Sequence, residues 1–210
     1  MHRVSIAATV AVAFAFVGVA APPAEEKKLF DGKTLEGWKP SGFHGEGEIK
    51  VDDGKLVIGA GKPMAGITWK DGKTLPKIDY EIELEAMRVE GKDFFVGLTF
   101  PVKDQPCSLI LGGWGGSTCG LSSINGADAS ENETSTQQQF ENGRWYKVKL
   151  RVTEKKIAAW IDGKELLSID TTEKDFSIRI EVTRSQPLGF STYRTTAALR
   201  NIVLRKIEAK

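Results

Sequence analysis

The segment Tyr146-Lys147-Val148-Lys149-Leu150-Arg151-Val152 alternates apolar and charged residues without interruption. Successive side chains of a β-strand point to opposite faces of the sheet, so this pattern predicts a strand with one face on a core and the other in water. The segment Ile78-Asp79-Tyr80-Glu81-Ile82-Glu83-Leu84-Glu85 alternates in the same way. Together the two segments predict a sheet with one apolar face and one highly charged face.

Turn signals on both sides of these segments join further strands. Asp53-Gly54 separates two short apolar runs, and Asp162-Gly163 separates two more. Asp-Gly tolerates the positive φ of tight hairpin turns, so each pair predicts a hairpin. Further apolar runs predict strands at residues 94–100, 108–111, 176–182, 188–193 and 198–207. About a dozen short strands with no helical period predict an all-β fold of two packed sheets.

The charge balance excludes one class of partner. The chain has 210 residues, with 29 Lys and Arg against 28 Asp and Glu, and the two signs are interspersed along it. Nucleic-acid binders gain affinity by neutralising phosphates with clustered Lys and Arg. We therefore expect no nucleic-acid partner.

The N-terminus has the pattern of an export signal. Met1-His2-Arg3 supplies a short positive region, and residues 6–21 form an uncharged run of apolar and small residues. This order is typical of a secretory signal peptide, which we assign to residues 1–20 with cleavage after Ala20. A retained membrane anchor is the alternative interpretation.

The rest of the chain predicts one exported domain behind a short linker. Residues 21–28 are rich in Pro and charge and predict a flexible tether, and residues 29–208 predict the folded domain. We expect a periplasmic or secreted protein with no membrane span after signal cleavage.

Two cysteines flank a glycine-rich turn in the middle of the chain. Cys107 and Cys119 lie on either side of Leu111-Gly112-Gly113-Trp114-Gly115-Gly116. If this segment is a hairpin, the two could face each other, and an oxidising compartment would permit a disulfide. Two buried free thiols are the alternative.

Several side chains are candidates for carbohydrate contacts. Trp114 lies among four glycines that cannot screen its indole, and an indole face can stack on a sugar ring. Trp69 is a candidate for the same surface, and the Asn132 amide could pair with sugar hydroxyls. Arg184 and Arg194, at predicted strand ends, could do the same. Packing or surface roles are the alternatives for each of these residues.

The polar stretch at residues 122–143 is the candidate metal site. Asp128, Glu131 and Glu133 offer the oxygen ligands that a divalent cation such as Ca²⁺ prefers. The ligand spacing of an EF-hand is absent, and a solvated loop is the alternative. No other cofactor is indicated by a motif.

Two segments carry a resemblance to a known family. Leu29-Phe30-Asp31-Gly32-Lys33-Thr34-Leu35-Glu36-Gly37-Trp38 resembles the opening motif of the 3-keto-disaccharide hydrolase domain family. Gly189-Phe190-Ser191-Thr192-Tyr193 and Leu199-Arg200-Asn201-Ile202-Val203-Leu204 resemble its closing strands. The resemblance spans residues 29–207 and implies a concanavalin A-like jelly-roll β-sandwich of two curved antiparallel sheets. In the middle, Gly113-Trp114-Gly115 replaces the motifs that catalytic members carry there.

The resemblance implies an activity on 3-keto-glycosides, with a glycan or small sugar as the partner. A ketone at C3 of a sugar acidifies the C2 proton, so that a base can remove it and the C1 substituent can leave. Asp128, Glu133 and His44 are the candidates for the base. The acidic ladder at residues 79–85 suggests a glycosidase pair instead, or simply a solvated face. A non-catalytic carbohydrate-binding module and an envelope interaction domain are the alternative functions.

Overall fold

The computed structural model describes residues 25–208, and within them the chain forms two antiparallel sheets packed face to face. The strands are β1 (Glu26–Lys28), β2 (Trp38–Pro40), β3 (Ile49–Asp52), β4 (Lys55–Ile58), β5 (Met64–Trp69), β6 (Tyr80–Glu90), β7 (Val96–Val102), β8 (Gln105–Gly113), β9 (Thr118–Ser122), β10 (Thr136–Gln137), β11 (Trp145–Val152), β12 (Lys156–Ile161), β13 (Lys164–Asp170), β14 (Gly189–Tyr193) and β15 (Thr196–Lys206). Short 3₁₀ helices span Gly72–Thr74 and Ile180–Ser185.

Sheet A has the order β13-β12-β11-β6-β15-β4-β3, with β1 beside β15, and sheet B has the order β10-β9-β8-β7-β14-β5-β2. Strands adjacent in a sheet are often distant in the chain, as in the pair β6 and β15. The fold class predicted from the sequence, a concanavalin A-like jelly-roll sandwich, is confirmed.

Sheet A shows the predicted separation of its two faces. On β11 and β6, Leu150 lies opposite Ile82, and both side chains are completely buried in the core between the sheets. The carboxylates of the acidic ladder point outward and pair with arginines in three ion pairs: Glu81–Arg151, Glu83–Arg205 and Glu85–Arg200. The ladder is therefore a charged outer surface on which each of these carboxylates already has a cationic partner.

Sheet B is different, because its outward face carries small and polar residues. On β8, Leu109 and Leu111 point into the core, while Ser108 and Ile110 alternate with them on the other face. Its neighbour β7 places Gly97 and Thr99 on that outward face. Small side chains leave space above the sheet, and the candidate site lies in this space.

One predicted strand is wrong. The alternation of apolar and polar residues at 176–182 predicts a strand, but Phe176 forms only an isolated bridge with Ile124. The chain then turns into the 3₁₀ helix at Ile180–Ser185, where Val182 N donates to the Arg179 carbonyl. Local turn hydrogen bonds replace pairing with a neighbouring strand there. We call residues 177–185 the strap, because its residues form one wall of the pocket described below.

The predicted tether is wrong over its last residues. Glu26–Lys28 form β1 and pair with β15, with Lys27 opposite Leu204. The ion pair between Glu26 and Arg205 adds a side-chain contact. The predicted signal peptide at residues 1–20 and the start of the tether lie outside the described residues.

The predicted disulfide is also wrong, because Cys107 and Cys119 are free and buried. In the ladder of β8 and β9, Ser108 pairs with Ser122 and Ile110 with Gly120. This register places the two cysteines at least four positions apart along the ladder, a separation of roughly 13 Å or more. A disulfide needs Cα atoms within about 7 Å.

Within residues 25–208, no helix is long and apolar enough to cross a membrane.

Candidate functional site

A pocket of about 350 Å³ lies above the outward face of sheet B. Its apolar lining comes from Pro63, Met64, Phe94, Ile110, Trp114 and Val182. Its polar lining comes from Asp93, Ser108, Ser122, Arg179, Glu181 and Tyr193. These residues belong to sheet B, to the loops before β5 and β7, to the β8–β9 turn and to the strap, so the pocket lies where five parts of the chain meet.

Trp114 lies at the tip of the β8–β9 hairpin and is 44% exposed. Its φ is +48°, and the two following glycines, Gly115 and Gly116, have φ of +94° and +118°. Glycine adopts the φ values of residues 115 and 116 far more readily than any other residue, which explains the two glycines that follow the indole. Elsewhere in the pocket, Phe94 and Tyr193 pack together with ring centroids 6.0 Å apart. The pocket thus offers one partly exposed indole beside a packed aromatic pair.

Two serine hydroxyls of sheet B line the pocket but differ in their partners. Ser108 Oγ shares a hydrogen bond of 2.9 Å with Thr99 Oγ1. Ser122 Oγ is buried and has no hydrogen-bond partner among the residues that the structure describes. A buried hydroxyl without a partner costs about 1–3 kcal/mol. Ser122 is therefore a polar group of the pocket that a ligand could satisfy.

A charged cluster fixes the strap beside the pocket. Arg179 Nη1 donates to Asp128 Oδ2 at 2.6 Å, and Arg179 Nη2 donates to Glu181 Oε1 at 2.9 Å. The hydrogen bond from Arg179 holds the pKa of Glu181 below its ordinary value. Burial works to raise the pKa of Asp128, but hydrogen bonds from Ser130 and the charge of Arg179 outweigh it and the pKa is lowered. Both carboxyls are therefore ionised at neutral pH.

Asp93 is the other carboxylate of the pocket, and both its oxygens accept backbone hydrogen bonds. Oδ1 accepts from Phe94 N at 2.8 Å and Oδ2 accepts from Gly115 N at 3.2 Å. Asp93 thus connects the loop before β7 with the tip that carries Trp114.

The structure does not bring the three predicted base candidates together. His44 is exposed on the loop after β2, and Glu133 pairs with Lys174. Asp128 reaches the site only through Arg179, and none of the three lines the pocket. The carboxylates of the pocket are Asp93 and Glu181 instead. Sequence reasoning missed both of them, because Glu181 lay in a wrongly predicted strand and Asp93 in an ordinary loop.

The predicted metal ligands do not form a site. Glu131 is exposed, and Asp128 and Glu133 pair with different cations, Arg179 and Lys174. Within residues 25–208, no group of three or more His, Cys, Asp or Glu side chains could hold a metal ion. The acidic character of this stretch serves ion pairs with neighbouring segments.

Of the predicted sugar contacts, only Trp114 lines the pocket. Trp69 is 7% exposed and packs edge-on against Trp38 in the core. The Asn132 amide is buried, and its Nδ2 donates to the backbone carbonyls of Ala127 and Asp128 in the polar stretch and of Leu121 in β9. Asn132 therefore holds that stretch together. Arg184 and Arg194 are exposed outside the lining, although Arg194 stacks on the ring of Tyr193.

A jelly-roll sandwich of two antiparallel sheets is a lectin-like fold. More specifically, the chain belongs to the 3-keto-alpha-glucoside-1,2-lyase-like domain family, which matches residues 25–205. The family predicted from the opening and closing motifs is thus confirmed. Family and fold together indicate a carbohydrate-active or carbohydrate-binding protein.

Solved structures share this fold at low sequence identity. The Crh5 transglycosylase in complex with NAG is 9% identical with a TM-score of 0.58, covering 89% of this chain and 88% of that chain. The carbohydrate recognition domain of Emp47p is 11% identical with a TM-score of 0.55, covering 86% and 94%. Domain 4 of the arabinanase AbnA from Geobacillus stearothermophilus, in complex with arabinotriose, is 14% identical with a TM-score of 0.54, covering 82% and 84%. No curated protein matches the chain.

Proposed function

We propose that this protein binds a carbohydrate in the pocket above sheet B, with one sugar ring stacked on Trp114. The exposure of Trp114 carries the proposal. Among the described residues, the exposed large apolar side chains are Val89, Trp114 and Ile180, and only Trp114 lines the pocket. An indole face can stack on the apolar face of a sugar, and the ring N–H can bond a hydroxyl.

The rest of the pocket supports a ligand of this kind. A volume of about 350 Å³ is within the range of small-molecule sites. Ser122 provides a buried hydroxyl for a sugar hydroxyl at the sheet, and the Phe94–Tyr193 pair provides an apolar wall. The apolar run at residues 6–21 favours export, so we include binding outside the cytoplasm in the proposal.

A second candidate function is the cleavage of 3-keto-glycosides, favoured by the position of Glu181 beside Arg179. The ionised Glu181 carboxylate would take the C2 proton, which the neighbouring ketone makes acidic. The resulting enolate would expel the C1 oxygen with its bonding electrons, forming a C1–C2 double bond. The protonated Glu181 would return the proton to the leaving oxygen. Arg179 would stabilise the negative charge on the enolate oxygen.

Binding is tested by calorimetry on wild type and two tryptophan variants with a panel of neutral mono- and disaccharides and 3-keto-disaccharides. Trp114→Ala should weaken binding about tenfold or more, because stacking contributes roughly 1–2 kcal/mol. Trp160→Ala is the matched control, since Trp160 lies on the outer face of sheet A under Lys149. Equal affinities of Trp114→Ala and wild type would refute the assigned site.

Cleavage is tested by following product release from 3-keto-disaccharides and their unoxidised parents. We expect release from the keto substrates alone, and a loss of about 100-fold or more in Glu181→Gln, as is usual for a missing general base. Glu133→Gln is the control, because Glu133 pairs with Lys174 away from the pocket. If neither substrate set is cleaved, the cleavage function fails and binding alone remains.

A further inference from the structure

The hairpin tip that carries Trp114 is an unusual platform for a binding residue. Gly112, Trp114, Gly115 and Gly116 all have positive φ, and Gly116 N closes the turn by donating to the Gly113 carbonyl at 3.1 Å. Glycines lose more backbone freedom on ordering than any other residue. A tip of this composition therefore needs contacts from outside the hairpin to hold Trp114 in one place.

Asp93 supplies such a contact from another part of the chain. Its Oδ2 accepts the hydrogen bond from Gly115 N, the residue that follows Trp114. Asp93 is itself anchored, because its Oδ1 accepts from Phe94 N and its backbone N donates to Thr195 Oγ1 at 3.2 Å. Asp93 thus ties the tip to the loop before β7 through its carboxylate, and its backbone anchors it to Thr195, which precedes β15.

A buried arginine holds the next residue of the tip. Arg88 is 7% exposed, and its Nη1 donates to the Gly116 carbonyl at 3.4 Å. The same guanidinium donates to the Phe140 carbonyl and to Asn142 Oδ1, so its own position is fixed. The tip is therefore held at two consecutive residues, by a carboxylate at one and by a guanidinium at the other.

We propose that Asp93 is a positioning residue that holds Trp114 ready to stack on the sugar before the ligand arrives. This inference rests on the proposed binding function. Fixing a binding group in its bound position removes the ordering cost that a mobile group would add on binding. Asp93 lines the pocket, but the role proposed here is exerted through Trp114.

Calorimetry on a double-mutant cycle tests this role. Asp93→Ala should weaken sugar binding about five- to tenfold, which corresponds to ordering one flexible segment. In the Trp114→Ala background, the same change should have no further effect, because the group that Asp93 positions is absent. Additive losses would show that Asp93 contacts the ligand directly, and an unchanged affinity of Asp93→Ala would show that it positions nothing. Either result would overturn the inference.

A second measurement needs no ligand and separates the two proposals. Amide hydrogen exchange, followed by NMR, should become about tenfold faster or more at Gly115 in Asp93→Ala, since its acceptor is gone. Asp31→Ala is the matched control, because Asp31 also accepts two backbone amides, from Lys33 and Thr34, in a turn that does not line the pocket. Unchanged exchange at Gly115 would show that Asp93 does not hold the hairpin tip and would refute the inference. Faster exchange in a protein that binds no sugar would refute the proposed function but would still show that Asp93 holds the hairpin tip.

A milder variant covers the case in which Asp93→Ala does not fold. Asp93→Asn keeps one side-chain oxygen as an acceptor and so keeps one of the two backbone contacts. We expect its Gly115 amide to exchange faster than that of wild type, and its sugar affinity to lie between those of wild type and Trp114→Ala. Values equal to wild type in both would contradict the inference.

Discussion

Replacing Ser122 by alanine should make the protein more stable, although serine to alanine is usually a loss at a hydrogen-bonded site. Ser122 is 1% exposed, and its hydroxyl has no partner within the described part of the chain. Leaving a buried hydroxyl unsatisfied costs about 1–3 kcal/mol. Alanine removes that cost, but it leaves a void of one oxygen atom, which destabilises the folded state by about a few tenths of a kcal/mol or more. The expected net change is an increase of about 1 kcal/mol in the free energy of unfolding.

Ser108 provides the matched control, because it lines the same pocket but its hydroxyl is bonded to Thr99 Oγ1. Ser108→Ala would leave the Thr99 hydroxyl buried without that partner. We expect the free energy of unfolding to fall by about 1–2 kcal/mol. Urea denaturation measures the stability of both variants. With an unchanged m-value, the midpoint of Ser122→Ala should rise and that of Ser108→Ala should fall. A loss of stability in Ser122→Ala as large as that in Ser108→Ala would refute the reasoning.

Ser122→Ala should also bind sugar less tightly than wild type. If the Ser122 hydroxyl is satisfied by a ligand hydroxyl, removing it should weaken binding about three- to tenfold, the value of one hydrogen bond. Calorimetry with the best ligand of the panel measures this. Stabilisation together with weaker binding would mark Ser122 as a residue kept for the ligand, whereas unchanged affinity would exclude it from the site.

Two further predictions concern the thiols and the strap. Burial raises the pKa of Cys107 to about 12 and that of Cys119 to about 11. A thiol reagent at neutral pH should therefore modify neither cysteine in the folded protein, and both cysteines after denaturation without reductant. If no free thiol is found after denaturation, the two cysteines form a disulfide. The lowered pKa values of Asp128 and Glu181 mean that both carboxylates stabilise the folded state above their unfolded pKa values and that this stability is lost as the pH falls through the folded values. The urea concentration at the unfolding midpoint should therefore decrease when the pH is lowered below about 4. Asp128→Asn should have a lower midpoint than wild type at pH 7 and a smaller decrease in acid. An equally steep decrease in Asp128→Asn would contradict the role of the Asp128–Arg179 ion pair.

Most of the fold could be predicted because strand alternation is a local signal. The alternating segments at β6 and β11 became central strands of sheet A, and the Asp-Gly pairs became the turns after β3 and β12. The same signal misled at residues 176–182, where alternation is present but the segment turns into the strap. Alternation reports which side chains share a face; it does not report whether a neighbouring strand is available to pair.

The site was predicted only in part. Trp114 could be found from sequence, since an indole among glycines has no nearby side chain to cover it. Asn132 and Trp69 have the same chemistry as ligand-binding residues, but one is used to hold a loop and the other to fill the core. Polar and aromatic character alone does not distinguish these roles, because both depend on what the residue packs against.

The sequence by itself determined the all-β class, the two faces of sheet A, the main hairpins, the family and the exposed tryptophan, because these depend on neighbours a few residues apart. Only the tertiary structure decided that Asp93 reaches Gly115, that Arg179 joins Asp128 to Glu181 and that Cys107 and Cys119 lie apart. These contacts depend on strand register and on which segments cross the open face of sheet B. A shift of one residue in register would exchange the inward and outward side chains of a strand, so no local pattern can specify the pocket.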